Sequence, residues 1–221
     1  FQDDPNEPGH DVLDGDGGEQ DYDAEGGDDI MLAGPGIQRS EGMRGFDWVT
    51  HQGDPQAADS DMDVTGALPP GVETNRDRFD LVEGLSGYEF DDVLRGDDRA
   101  VADLTAGADE PADAHVLGRA GIDRIQGLDT VLPAGATRFD TGNILIGGGG
   151  ADLIEGRGGD DVIDGDAQLT VELRVPYRDG TTVRTVESLA EIRADALAGR
   201  IDPGALTIVR RIERPAAPDP T

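Results

Sequence analysis

The stretch Gly147 to Gly165, GGGGADLIEGRGGDDVIDG, holds two consecutive copies of a nine-residue unit, GGxGxDxUx, in which U is a large apolar residue. In the first copy Gly147, Gly148 and Gly150 take the glycine places, Asp152 the carboxylate place and Ile154 the apolar place. The second copy reads Gly156, Arg157, Gly159, Asp161 and Ile163. Glycines let the backbone turn through positive φ, so that several carbonyl oxygens can gather around one point. An aspartate added to those carbonyls suits a hard cation that takes six to eight oxygens, and calcium is the natural occupant. After the aspartate only x-U-x remains, which is long enough for a short strand with one side chain facing inward. Two such units make one coil of a parallel β-roll, with equivalent turns stacked every 18 residues along one edge.

The same register runs through the N-terminal region, where the glycines are fewer. Asp11, Gln20, Asp29, Gln38 and Asp47 lie nine residues apart, and Leu13, Tyr22, Met31, Ser40 and Val49 each follow two residues later. This places aspartates on one edge and glutamines on the other. The expectation is calcium along the edge of Asp11, Asp29 and Asp47, and a largely empty edge at Gln20 and Gln38. In GLSGYEFDDVLRGDD, the residues Asp92, Leu94, Gly96 and Asp98 return to the pattern.

These repeats resemble the RTX, or hemolysin-type, calcium-binding repeats of secreted bacterial proteins. In that family an ion sits between stacked turns, which implies one set made of Asp140 and Asn143 with Arg157 O, Gly159 O and Asp161. A second set would use Gly147 O, Gly149 O and Asp152. Its partner turn, 165–170, has no aspartate at the repeat position, so this set is expected to be weaker or completed by Asp166. The order of AEGGDDIM, GFDWVT, VEGLSG, GNILIGGGGADLIEGRGGDDVIDGDA and LTIVRRI is also similar to the region that follows the catalytic domain in bacterial haem peroxidases of the animal type. That likeness implies a secreted, calcium-binding parent enzyme that oxidises substrates with peroxide at a haem, and the RTX resemblance implies type I secretion as the export route. His10, His51 and His115 supply no recognisable haem-ligand context, so no catalytic role is expected for this chain.

Composition agrees with a fold that depends on cations. Eighteen basic against 48 acidic residues give a formal charge of −30 over 221 residues, with 33 glycines and only 4% aromatics. Such a chain buries too little apolar surface to offset its ordering entropy and self-repulsion unaided. Ions bound only by the folded state would add the missing stability. Extracellular calcium modules bind in the range of about 10⁻⁴ to 10⁻³ M, so folding is expected after export. There are no cysteines, which excludes disulfides and thiolate metal sites. No apolar run reaches the roughly 20 residues of a membrane span, and the acidity disfavours nucleic acid. The chain opens at Phe1 and is read as part of a larger polypeptide, with an attached domain as partner.

The expected architecture is mainly β: a parallel β-roll with two inserted segments and a small C-terminal α/β cap. Residues 1–50 form the first roll segment, 51–78 an insertion, and 79–98 a short return. Residues 99–137 form an insertion with helical turns, and 138–168 the second roll segment. Residues 169–213 make the cap, and 214–221 a tail. In the cap, Asp179-Gly180 signals a hairpin turn, and Ser188 with Glu191 a capping box. A final strand from Ala205 to Ile212 pairs with the hairpin, and the cap is expected to close the open end of the roll.

Other motifs are weaker. The glycines of 147–150 lack the GK[ST] of a phosphate loop. Asp14, Asp16, Gly18 and Glu25 imitate an EF-hand, but Glu19 occupies its glycine place. Asp59, Asp61 and Asp63 read as a solvated loop, His51 and His115 as isolated loop histidines, and Trp48 as packing beneath the first insertion. The functional alternative to a calcium module is an extracellular adhesin or polysaccharide-binding module that presents its insertions to a glycan or surface partner.

Overall fold

The computed structural model describes residues 9–66, 77–99 and 114–214. The chain is mainly β, and most of its strands are three or four residues long, as the x-U-x spacing dictates. Six of them form one parallel sheet in the order β1 (Val12–Asp14), β3 (Ile30–Leu32), β5 (Trp48–Thr50), β8 (Gly84–Ser86), β12 (Ile144–Ile146) and β14 (Val162–Asp164). Two three-stranded parallel sheets accompany it. One is β2 (Gln20–Asp23), β4 (Gln38–Glu41) and β7 (Arg78–Asp80). The other is β13 (Leu153–Glu155), β9 (Val93–Arg95) and β6 (Asp59–Asp61). Successive repeats keep an 18-residue register: Leu13 pairs with Met31, Met31 with Val49, and Leu145 with Ile163.

The central residue of each strand faces inward, as a period of two requires. Met31, Val49, Leu85 and Leu145 of the six-stranded sheet pack against Tyr22, Phe79 and Leu94 of the other two. Flanking residues of the same strands point the opposite way. Ile30, Leu32, Trp48, Ile144 and Ile146 therefore form a second apolar face, and it too is covered. One cover is the second insertion, where β10 (Leu117–Gly118) pairs antiparallel with β11 (Arg138–Phe139) and α1 (Arg119–Arg124) contributes Ile122. Trp48 packs there with Leu117 and Ile122, not beneath the first insertion, because its parity directs it to this outer face.

The second cover is the C-terminal unit. Here β15 (Gln168–Pro176) pairs antiparallel with β16 (Val183–Val186) and with β17 (Thr207–Glu213). Gly180 takes φ +73° in the hairpin turn. Ser188 and Glu191 form the capping box ahead of α2 (Arg193–Leu197). Leu169, Val171 and Ile212 join the outer apolar cluster. The unit thus lies along a face of the stack, not across its end. At that end Ile163, in the inward register position, is 49% exposed, and Leu153 is 64% exposed.

The first insertion changes the order of the stack. β7, not β6, pairs with β4, so the chain lays down β6 against β9 and then returns to fill the place beside β4. A hydrogen bond from Phe79 N to Val64 O ties the two passages together. Part of this insertion (67–76), part of the second (100–113) and nearly all of the expected tail (215–221) lie outside the described residues.

Candidate functional site

The repeat aspartates sit immediately before their strands, where the strand ladder has not yet begun. There most of these carboxylates accept a hydrogen bond from the main-chain amide of the equivalent residue before the neighbouring parallel strand. Along one edge Asp11 N donates to Asp29 Oδ1 at 2.5 Å, Asp29 N to Asp47 Oδ1 at 3.0 Å, and Asp47 N to Glu83 Oε2 at 2.8 Å. The same edge continues with Asn143 N to Asp161 Oδ1 at 2.8 Å. Along the other edge Gln38 N donates to Asp77 Oδ1, Ala58 N to Asp92 Oδ1, and Asp92 N to Asp152 Oδ1, at 2.7–2.9 Å. Each bond satisfies an amide that would otherwise be unpaired between coils.

The turns that lead into these aspartates share a backbone pattern. The second place of the unit has φ between 63° and 67° at Asp16, Glu25, Met43 and Arg157, and the fourth place is a positive-φ glycine at 18, 27, 45 and 159. Leu81, two residues before Glu83, holds that fourth place with φ 53°. Stacking brings the carbonyl of one turn against the next: a Cβ on Gly45 would collide with Gly27 O, and one on Gly147 with Asp152 Oδ2 and Gly165 O. The turns are accordingly oxygen-lined cradles that glycine keeps open.

Burial sets the electrostatics of the first edge. Asp29, Asp47 and Glu83 are 0%, 0% and 3% exposed, and Asp29 Oδ2 and Asp47 Oδ2 accept no hydrogen bond. Desolvation pushes the Asp29 carboxyl up to about 6, although the Asp11 amide pulls the other way. Asp47 is also raised, by burial and then by repulsion from Glu83. Glu83 is raised by burial and partly relieved by His115, whose Nδ1 lies 3.3 Å from Glu83 Oε1. Burial likewise raises Asp152 and Asp161. Arginines close the far end of this edge: Arg210 donates to His10 O at 2.5 Å, and Arg124 pairs with Asp28 at 2.6 Å.

The expected ligand sets are only partly assembled. Asn143 and Asp161 meet, but Asp140 is paired with Arg138 instead. Asp152 meets Asp92, a partnership not anticipated, and Gly149 N donates to Tyr88 O in the same pair of turns. Exposed Asp166 has its amide on Asp164 Oδ1, and its charge acts on Asp152. Gly96 N bonds Glu155 O, whereas Asp98 is exposed and the buried neighbour is Asp97, whose amide donates to Asn143 Oδ1. Gly159 faces Thr141 O, and the side chain of Arg157 turns away to Asp61 and Asp63.

Sequence reasoning missed Glu83 and Asp77, and read His115 as an isolated loop histidine. The first two precede Leu85 and Phe79 by two residues, the same D-x-U spacing with a glutamate in one case and depleted glycines in both. Neither histidine is a solvated loop residue: His115 is 0% exposed, and His51 is 4% exposed with Nε2 2.8 Å from Ser60 Oγ. Among the described residues no three His, Asp or Glu side chains converge as a metal set, so a cation would draw most of its oxygens from turn carbonyls. Among the same residues no helix is long and apolar enough to cross a membrane. No family model, curated protein or solved structure matches the chain.

Proposed function

We propose that the chain is a non-catalytic, calcium-binding β-roll module of a secreted protein, which folds on meeting extracellular calcium and stabilises or spaces an attached domain. The parallel sheets, the 18-residue register and the paired edges of stacked turns support the roll. One observation carries the calcium reading: consecutive coils bury carboxylates whose second oxygens, Asp29 Oδ2 and Asp47 Oδ2, have no donor. A buried, unpaired carboxylate oxygen is costly, and a cation between the turns removes that cost. Asp29, Asp47 and the carbonyls of the stacked turns would hold an ion on this edge. Asp92 with Asp152, and Asn143 with Asp161, would serve the later coils. Oxygen-only ligands on flexible turns favour calcium over magnesium, which requires near-ideal octahedral geometry.

Bound calcium would supply positive charge to a chain carrying −30 and free energy to the folded state alone. In a low-calcium compartment the coils would repel one another, and outside the cell they would close. The test is a calcium titration from EDTA to about 10 mM, followed by circular dichroism and calorimetry with magnesium as control. A calcium-specific gain of β signal with saturable heat is expected. Identical spectra and no binding heat across the titration would sink the proposal.

A further inference from the structure

The second place of the unit is glycine in the first strong copy, Gly148, but carries a side chain at positive φ in several other turns, and in the second strong copy that side chain is Arg157 at φ 66°. A side chain in the left-handed region costs roughly 1–2 kcal/mol. The use of that side chain is plain in the structure. Arg157 Nη1 lies 2.7 Å from Asp61 Oδ1, 2.6 Å from Asp63 Oδ2 and 3.0 Å from Gly96 O, and Nη2 lies 3.0 Å from Asp61 Oδ2. Three carboxylate oxygens and a turn carbonyl, from two separate passages of the chain, thus converge on one guanidinium. Met62, between the two aspartates, is 0% exposed and anchors them from below. The side chains of Arg157 and Asp61 are 20% and 13% exposed, so the pair is partly withdrawn from solvent.

We propose that this cage is a divalent-cation site whose place the Arg157 guanidinium holds, so that the junction of the first insertion with the last coils closes without calcium. The inference rests on the calcium reading given above. An oxygen set of two carboxylates and a carbonyl is what calcium takes in a turn. Guanidinium satisfies the same oxygens with a planar fork of N–H donors and a permanent single charge. Asp61 sits below the usual carboxylate range: burial raises it, but the hydrogen bonds from Arg157 and the Asp63 amide, with the charges of Arg157 and Arg95, together outweigh burial. The residue makes one junction constitutive in a molecule whose other junctions await an ion, and it fixes Asp61 and Asp63.

The experiment uses the full chain and three variants: Arg157→Gly, which restores the repeat residue and relieves the positive φ, Arg157→Gln, and Asp61→Asn with Asp63→Asn. Bound calcium is counted by equilibrium dialysis with metal analysis, and Tm is measured in EDTA and in calcium. Arg157→Gly and Arg157→Gln are expected to bind one more ion than the parent, to melt lower in EDTA and to show a larger calcium-induced rise in Tm. The double aspartate variant should gain no ion. Unchanged stoichiometry in both arginine variants, with an unchanged calcium response, overturns the inference. A parent that binds no calcium instead overturns the proposed function, and the gain or absence of an ion in Arg157→Gly still decides this one.

Discussion

At the scale of single residues, the inter-coil carboxylates stabilise and endanger the fold together. Each accepts a hydrogen bond from a neighbouring amide, and each must be stripped of water to do so. Asp29, raised to about 6, illustrates the balance. Its ordinary value is about 4, so between these values the folded chain retains a proton that the unfolded chain has released. Stability without calcium therefore falls as pH rises from about 4 to about 6. The upward shifts of Asp47 and Glu83 extend the fall toward and beyond neutrality. Chemical denaturation in EDTA should show a higher midpoint at pH 5 than at pH 7, and saturating calcium should reduce or invert the difference. A midpoint in EDTA that rises over that interval would refute the assignment. Leu81 offers a second test, since it holds a left-handed place that glycine occupies in sister turns. Leu81→Gly is expected to raise Tm and Leu81→Ile to lower it, because β-branching worsens the strain at positive φ.

At the scale of elements, identical register positions have very different surroundings. Leu145 and Ile163 are paired residues of β12 and β14, yet one is fully buried and the other half exposed because β14 is the edge strand. Leu145→Ala should cost about 2–5 kcal/mol, and Ile163→Ala about 1 kcal/mol or less, measured by denaturant unfolding in calcium. Equal costs would mean that the end of the stack is covered in solution. The outer face teaches the same lesson. Trp48 is the single tryptophan, and its partners Leu117 and Ile122 come from the second insertion. Its fluorescence should accordingly report docking of that insertion, and a spectrum already blue-shifted in EDTA would mean that docking precedes calcium.

At the scale of the whole molecule, charge and topology oppose one another. A charge of −30 spread over stacked turns favours expansion, while two apolar layers on the two sides of the six-stranded sheet favour closure. Without calcium, screening alone should help: raising salt from about 0.01 M to 0.15 M shortens the Debye length from about 30 Å to 8 Å. Small-angle scattering in EDTA should show the radius of gyration falling with salt, and falling further with calcium at constant ionic strength. A radius indifferent to both would show that the insertions and the C-terminal unit hold the stack closed by themselves. Arginines that bridge separate passages of the chain contribute to such closure: Arg210 on His10 O, Arg124 on Asp28, and Arg157 on Asp61 and Asp63.

Sequence by itself determined the short strands, their register and the residues that precede them, because a nine-residue unit repeats its turn geometry even where glycine is lost. Asp29, Met31, Asp47 and Val49 were legible for that reason, as were the hairpin at Gly180 and the capping box at Ser188, which depend on neighbours in the chain. Tertiary structure decided everything that depends on which coil lies next to which. The return of β7 beside β4, the meeting of Asp92 with Asp152, and the burial of Glu83 against His115 join residues 32 to 60 positions apart. No local pattern encodes such pairings, since they follow from how the inserted segments fold back. The C-terminal unit is the clearest case. Its strands were readable from alternation and turns, but its place along the outer face was set by the apolar side chains of Ile30, Trp48, Ile144 and Ile146, which would otherwise face water.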